Sequence, residues 1–190
     1  GKVAIFVGRV EQDNGRRRRQ GTIDGLLDRP RNPDGFYSMN EVIKEDGYEI
    51  IGTFTDNTEK PKAKNNAEDV LSKYPDVAAM VGLFAYNPPL ILEALKQAGK
   101  AGEVVVVGFD EEDGTLRGIQ DGEIVGTVVQ NPFEYGRQSV RVLAGLSRGK
   151  SLQDLGIDES GVMMIPAREI NRENVDDFWA ELKKNTAASE

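Results

Sequence analysis

At 190 residues the chain is long enough for one domain with a substantial core. Its formal net charge of −8 argues against a general nucleic-acid binder, which needs a basic face to displace counterions. Cysteine and histidine are both absent, which excludes disulfides, thiol chemistry, and Ser-His-Asp or Cys-His sites, and leaves only all-oxygen metal sites. The expectation is a binding protein and not an enzyme, with no cofactor and no metal. No apolar run is long enough to span a bilayer. The chain opens directly into VAIFVG, with no signal peptide, as a mature secreted protein also would.

Residues 2–7 read as a buried parallel strand. A buried strand as the first element suggests that the chain begins mid-protein. Residues 8–15 are a polar loop in which Asn14 or Asp13 is expected to cap a helix over 15–27. That helix carries Ile23, Leu26 and Leu27 on one face and Arg16, Arg17, Arg18 and Arg19 in its first turns. Four adjacent arginines point around most of a helix, so at least one should face the carboxyl edge of the sheet. Arginine there also opposes the helix macrodipole, a local cost that a ligand contact would explain.

Residues 28–46 read as a long surface excursion, with a helix over 39–45 capped by Ser38 or Asn40. A second strand over 47–55 ends at Asp56. An amphipathic helix over 60–74 follows, with Ala63, Ala67, Val70 and Leu71 inward. The wholly apolar third strand, 77–84, runs into Phe84, Tyr86 and Asn87, with Asn87 as cap of a helix over 89–98.

Residues 102–110, GEVVVVGFD, read as a central strand buried on both faces. It delivers Asp110 just past its carboxyl end, the edge where open α/β sheets bind ligands. A short helix to Gln120, a fifth strand over 123–129 ending in Gln130, and a helix over 133–149 follow. A loop over 151–160, a short apolar strand over 162–165 and an amphipathic helix over 173–184 carrying Trp179 complete the order, with a frayed tail over 185–190. Strict alternation gives a doubly wound parallel α/β sheet of flavodoxin-like order, with its switch point between the first and third strands.

Two motifs mislead. AGLSRGKS over 144–151 nearly matches a phosphate-binding loop, but alanine stands where glycine is required and a helix precedes it in place of a strand. The acidic run over 110–113 reads as helix capping facing water. A phosphorylated receiver would want an acidic pair after the first strand and a lysine after the fifth, and neither is present.

The strand-end residues Asn14, Arg16, Asp56, Asn87, Asp110 and Gln130 are all planar hydrogen-bonding groups, and none is a plausible nucleophile. They suit a ligand covered in hydroxyls. Phe84 and Tyr86 could stack on the apolar face of a sugar ring.

GLFAYNPPLILEALKQAG, VVVVGFDEED and GTVVQNPFEYG, with VAIFVGRVEQDNGRRRRQGTIDGL before and NVDDFWAELKK after, resemble the periplasmic sugar-binding proteins of ABC transporters, of the ribose-binding type. The resemblance implies two α/β lobes closing over a pentose or hexose. It carries over Arg16, Asn87, Asp110 and Gln130 as ligand contacts, with Asn14 and Asp56 as weaker matches. It also implies an ABC-transporter permease as partner and a periplasmic or extracellular location. The chain matches the family's second lobe, without the first. Residues 1–132 would form that lobe, and 133–190 a returning helix, strand and helix that in the family partly pack on the first lobe. The apolar face of 133–146 would then need cover, from a first lobe or a homodimer. The same lobes occur in sugar-sensing regulators of the lactose-repressor type, whose N-terminal helix-turn-helix has no counterpart here.

Overall fold

The computed structural model describes residues 1–32, 34–39 and 41–187. It divides into two units, Gly1–Thr127 with Ile170–Glu190, and Val128–Glu169.

The first unit is built on β1 (Lys2–Val7), whose last five residues are all buried. Helix α1 (Asp13–Leu26) follows, then a hairpin of β2 (Ile43–Glu45) and β3 (Tyr48–Thr55). Next come α2 (Lys60–Lys73), β4 (Val77–Gly82), α3 (Asn87–Gln97), β5 (Val105–Phe109), α4 (Asp113–Gln120) and β6 (Gly126–Val129). After α5 (Pro132–Leu146), β7 (Arg168–Asn171) and α6 (Val175–Ala187) end the chain. The strand order is β2-β3-β1-β4-β5-β6-β7. β1 pairs parallel with both β3 and β4, and β4 with β5, while the β2–β3 pair is antiparallel. Leaving aside β2 and β7, this is the flavodoxin-like order, and the switch point falls at β1 between β3 and β4, where the loops after β1 and β4 diverge.

On one face, Val3, Ile5 and Val7 of β1 pack with Ile50, Val81 and Leu83 against Ile23 and Leu27 of the α1 side. Burying such side chains stabilises the fold by roughly 1.5–3 kcal/mol each.

Four expectations need correction. Residues 43–45 are a strand, not part of a helix: Asp46 and Gly47 both take positive φ, the geometry of a tight hairpin turn, which Asp-Gly supplies at little cost. Ser38 therefore caps no helix there, and the alternative cap, Asn40, lies outside the described residues. β5 is not buried on both faces: Val106 is fully buried but Val105 is 46% exposed, because its burial alternates with period two. Residues 162–165 form no strand, and β7 begins three residues later. Of the tail, 185–187 continue α6, and 188–190 lie outside the described residues.

Helix α6 docks on α4. Trp179 Nε1 donates to Asp113 at 3.1 Å, and Gln120 donates to Asp176. In the second unit Asn131 caps α5, accepting from Glu134 N–H at 3.0 Å, with Pro132 at the first helical position. Arg141 donates to the Leu155 carbonyl at 2.9 Å, tying the following turn to α5. Phe133, Val140, Leu143 and Met164 are exposed, and a groove of about 460 Å³ runs between Tyr135, Val142 and Leu143 of α5 and Met163 and Ile165.

Candidate functional site

The site lies at the carboxyl edge of the first unit's sheet, where the loops after β1, β3, β4 and β5 converge. Gly8 follows β1 directly and must be glycine: a Cβ there would lie 2.6 Å from the Phe84 ring and from the Tyr86 hydroxyl. The loop after β4 therefore presses its aromatic pair onto the end of β1. Phe84 and Tyr86 meet edge to face, with ring centres 6.2 Å apart, and both are partly exposed.

Behind that pair sits Asp56, fully buried after β3. It accepts from Thr58 N–H at 2.8 Å, from the Tyr86 hydroxyl at 2.5 Å and from Asn87 Nδ2 at 3.0 Å. The backbone N–H groups of Asp56 and Asn57 donate back to Val7 and Gly8. Burial, and then the bond to Asp56, push the Tyr86 hydroxyl well above the usual tyrosine range. Asn87, 1% exposed, is not the helix cap predicted for it: Tyr86 holds that position, and Asn87 opens α3 with its Oδ1 accepting from Phe84 N–H at 3.0 Å. Asp56 and Asn87 thus form a closed brace between two loops.

Across the edge, Asp110 follows β5 in the left-handed region, at φ 68°, a conformation that aspartate tolerates better than most residues. Arg18 reaches over from α1 and forks onto it, Nη1 to Oδ2 at 2.9 Å and Nη2 to Oδ1 at 2.8 Å. Nη1 also donates to the Leu83 carbonyl at 2.7 Å, and the guanidinium lies 5.0 Å from the Phe109 ring centre. The Arg18 side chain is 12% exposed and that of Asp110 26%. Glu111 is partly buried beside the pair. Burial first, and then the Asp110 charge, raise its pKa.

The four arginines have separate fates. Helix α1 begins at Asp13, two residues earlier than predicted, so Asp13 and Asn14 lie inside its first turn and Gln12 occupies the cap position without a side-chain bond. Asp13 accepts from Arg16 at 2.9 Å and Arg17 at 2.7 Å, which offsets the cost of arginine near a helix N-terminus. Arg16, and then Arg17, hold the Asp13 carboxyl below its usual range. Arg16 also reaches toward the Gly35 carbonyl at 3.5 Å. Arg19, 2% exposed, donates to Thr53 Oγ1 and to the Tyr37 and Ser38 carbonyls, pinning Tyr37 and Ser38 to β3. Of the four, Arg18 is the one that bonds to Asp110 at the carboxyl edge, a contact the sequence alone does not assign to it. Asn14 is exposed and accepts from Gly15 N–H at 2.9 Å. Gln130 follows β6 in the second unit and is exposed.

Among the described residues, no group of three or more acidic side chains could hold a metal ion. Nor is any helix long and apolar enough to cross a membrane. The arrangement offers planar donors and acceptors beside aromatic rings, which is hydrogen-bonding chemistry.

Known proteins agree with this architecture. The ribose import binding protein of Salmonella typhimurium is 30% identical over 118 residues, covering 60% of this chain and 38% of that protein. The D-allose-binding periplasmic protein of Escherichia coli is 24% identical over 146 residues, covering 75% of this chain and 41% of that protein. Among solved structures, an arabinose-binding protein from Geobacillus stearothermophilus superposes with a TM-score of 0.70 at 24% identity, covering 94% of this chain and 56% of that one. An ABC transporter solute-binding protein from Bacillus halodurans with bound myo-inositol gives a TM-score of 0.70 at 22% identity, covering 95% and 54%. The chain therefore spans about two-fifths of the length of the two curated relatives and little more than half of the two structures. Residues 1–151 match the periplasmic binding protein domain, and the chain belongs to that family.

Proposed function

We propose that the chain binds a small neutral sugar, a pentose or hexose, at this edge, as the second lobe of an ABC-transporter solute-binding protein. The observation that carries the proposal is the Arg18 fork on a partly exposed Asp110. A carboxylate has about four acceptor positions and a guanidinium five donors, so the fork leaves both groups able to bond vicinal hydroxyls. Phe84 and Tyr86 supply a surface for the apolar face of the ring. Asn14, Arg16 and Gln130 are proposed as further contacts, with Asp56 and Asn87 holding the aromatic loop from behind. The relatives, named for ribose and allose binding, support this ligand class. Binding, with no turnover, is the role proposed.

Residues 1–132 would be the lobe, and 133–190 the returning segment. A first lobe of about 100 residues, an ordinary domain size, would cover the apolar face of α5 and supply the opposing sugar contacts. A homodimer through α5 is the alternative cover. The proposed location is periplasmic or extracellular, with a permease as partner.

Isothermal titration of the chain against ribose, allose, arabinose and myo-inositol tests the site. Weak, saturable heat with one of them, lost in Asp110→Ala, is expected. Heat that survives Asp110→Ala would overturn the site. Micromolar or tighter affinity would overturn the claim that half of the contacts lie elsewhere.

A further inference from the structure

Asn14 and Gly15 are the chain's only Asn-Gly pair, and they sit in the first turn of α1. Residues so early in a helix have no intrahelical acceptor for their N–H groups. The Arg16 N–H donates to the Gln12 carbonyl, while the Gly15 N–H turns to the side chain of its own neighbour, Asn14 Oδ1, at 2.9 Å. The Gly15 nitrogen is therefore held against the Asn14 carboxamide. Asn14 is exposed, so water reaches its carboxamide, while Gly15 is buried, so base reaches its N–H when the first turn of α1 frays. Glycine has no Cβ to hinder ring closure.

We propose that Asn14 is a self-modification site that deamidates through a cyclic imide with Gly15, and that the isoaspartyl product unseats Arg18 from Asp110. Base takes the Gly15 N–H proton, and the nitrogen bonds to Asn14 Cγ. The Cγ–Nδ2 bond breaks, and ammonia leaves with a proton. Water then opens the five-membered imide. Breaking the ring bond to Cγ gives aspartate at position 14. Breaking the ring bond to the former main-chain carbonyl gives isoaspartate, whose backbone runs through the old side chain. In sum, one water is consumed and one ammonia is released.

The two products differ in their effect. Aspartate keeps the backbone, and its charge suits a helix N-terminus. Isoaspartate inserts one backbone carbon a helical turn before Arg18. The turn has no slack for it, since even a Cβ on Gly15 would lie 2.5 Å from the Arg9 carbonyl. The phase of α1 must change, and a two-bond fork at 2.8 and 2.9 Å does not survive such a change.

The test is to age the full chain at physiological temperature, at neutral and mildly alkaline pH, and to map its peptides by mass spectrometry. The peptide holding Asn14 should gain about one dalton several times faster than those holding Asn57 or Asn65, and faster still at alkaline pH. The isoaspartyl fraction, separated by ion exchange, should show faster hydrogen exchange across α1. The Asn14→Asp variant should exchange like the parent. Deamidation at Asn14 no faster than at Asn57 or Asn65 would overturn the site. Unchanged exchange in the isoaspartyl fraction would overturn its effect on α1. Neither readout depends on what the edge binds.

Discussion

Two carboxylates stand on the same edge of the same sheet, each just past a strand. Asp56 is fully buried, and three neutral donors from neighbouring loops occupy its oxygens. Asp110 keeps about a quarter of its side chain in solvent and meets a single forked cation. The contrast shows that position at a strand end does not assign a role. Burial and the chemistry of the partners do: one group closes a framework, and the other keeps lone pairs open to solvent.

The comparison breaks most visibly at Asp56. Asp56→Ala strands the buried Asn87 amide, whose lost partner costs about 1–3 kcal/mol, and also takes the acceptor from the partly exposed Tyr86 hydroxyl and from the Thr58 N–H. A loss of about 3 kcal/mol or more is expected in urea denaturation. An unchanged midpoint would erase the distinction between the two carboxylates. Asp110→Ala should cost less stability than Asp56→Ala, about 1–2 kcal/mol, from alanine in the left-handed region and the loss of the Arg18 head's partner, but weaken sugar binding by about 10- to 150-fold, the worth of one hydrogen bond to a charged group. Arg18→Ala should follow Asp110→Ala in titration calorimetry. Arg16→Ala should fall well short of both, because Arg16 bonds to Asp13 and Gly35. Equal losses from Arg16 and Arg18 would return the first contact to Arg16.

Tyr86 sharpens the same contrast through pH. Its folded pKa stands above the ordinary tyrosine value of about 10. Its contribution to stability is therefore complete below about pH 10 and is lost as pH rises beyond. In an ultraviolet titration Tyr86 should ionise above the ordinary tyrosine range, together with alkaline unfolding, and Tyr86→Phe should flatten that limb of the stability curve. Ionisation of Tyr86 at the ordinary tyrosine value of about 10 would mean that the Asp56 brace is open to water.

The sheet was legible because its strands are short apolar runs between turn residues, and alternation with helices leaves few topologies. Asp110 was legible for the same reason, as a strand end. Three features were not. The hairpin at Asp46-Gly47 carries a turn signal, but the apolar spacing over 39–45 fits a helix as well. Val105 sits in a run of four valines whose composition does not tell which face lacks a covering helix. The arginine facing the edge depends on helical phase. Each residue turns about 100°, so the choice among Arg16, Arg17, Arg18 and Arg19 is open until packing fixes the rotation of α1.

The smallest expected effect lies at Glu111, which shares the open side with Asp110. Burial, and then the Asp110 charge, raise its folded pKa, while Arg18 pulls the other way. A raised pKa means that the fold prefers the protonated form. That preference is fully present below the unfolded value of about 4.3 and is lost as pH rises through the folded value. At neutral pH the ionised group is a mild liability, discounted because part of it faces water. Glu111→Gln should therefore raise stability by about 0.3 kcal/mol at neutral pH and by nothing once the carboxyl is protonated, as paired urea melts would show. A gain that persists in acid would come from shape and not from charge.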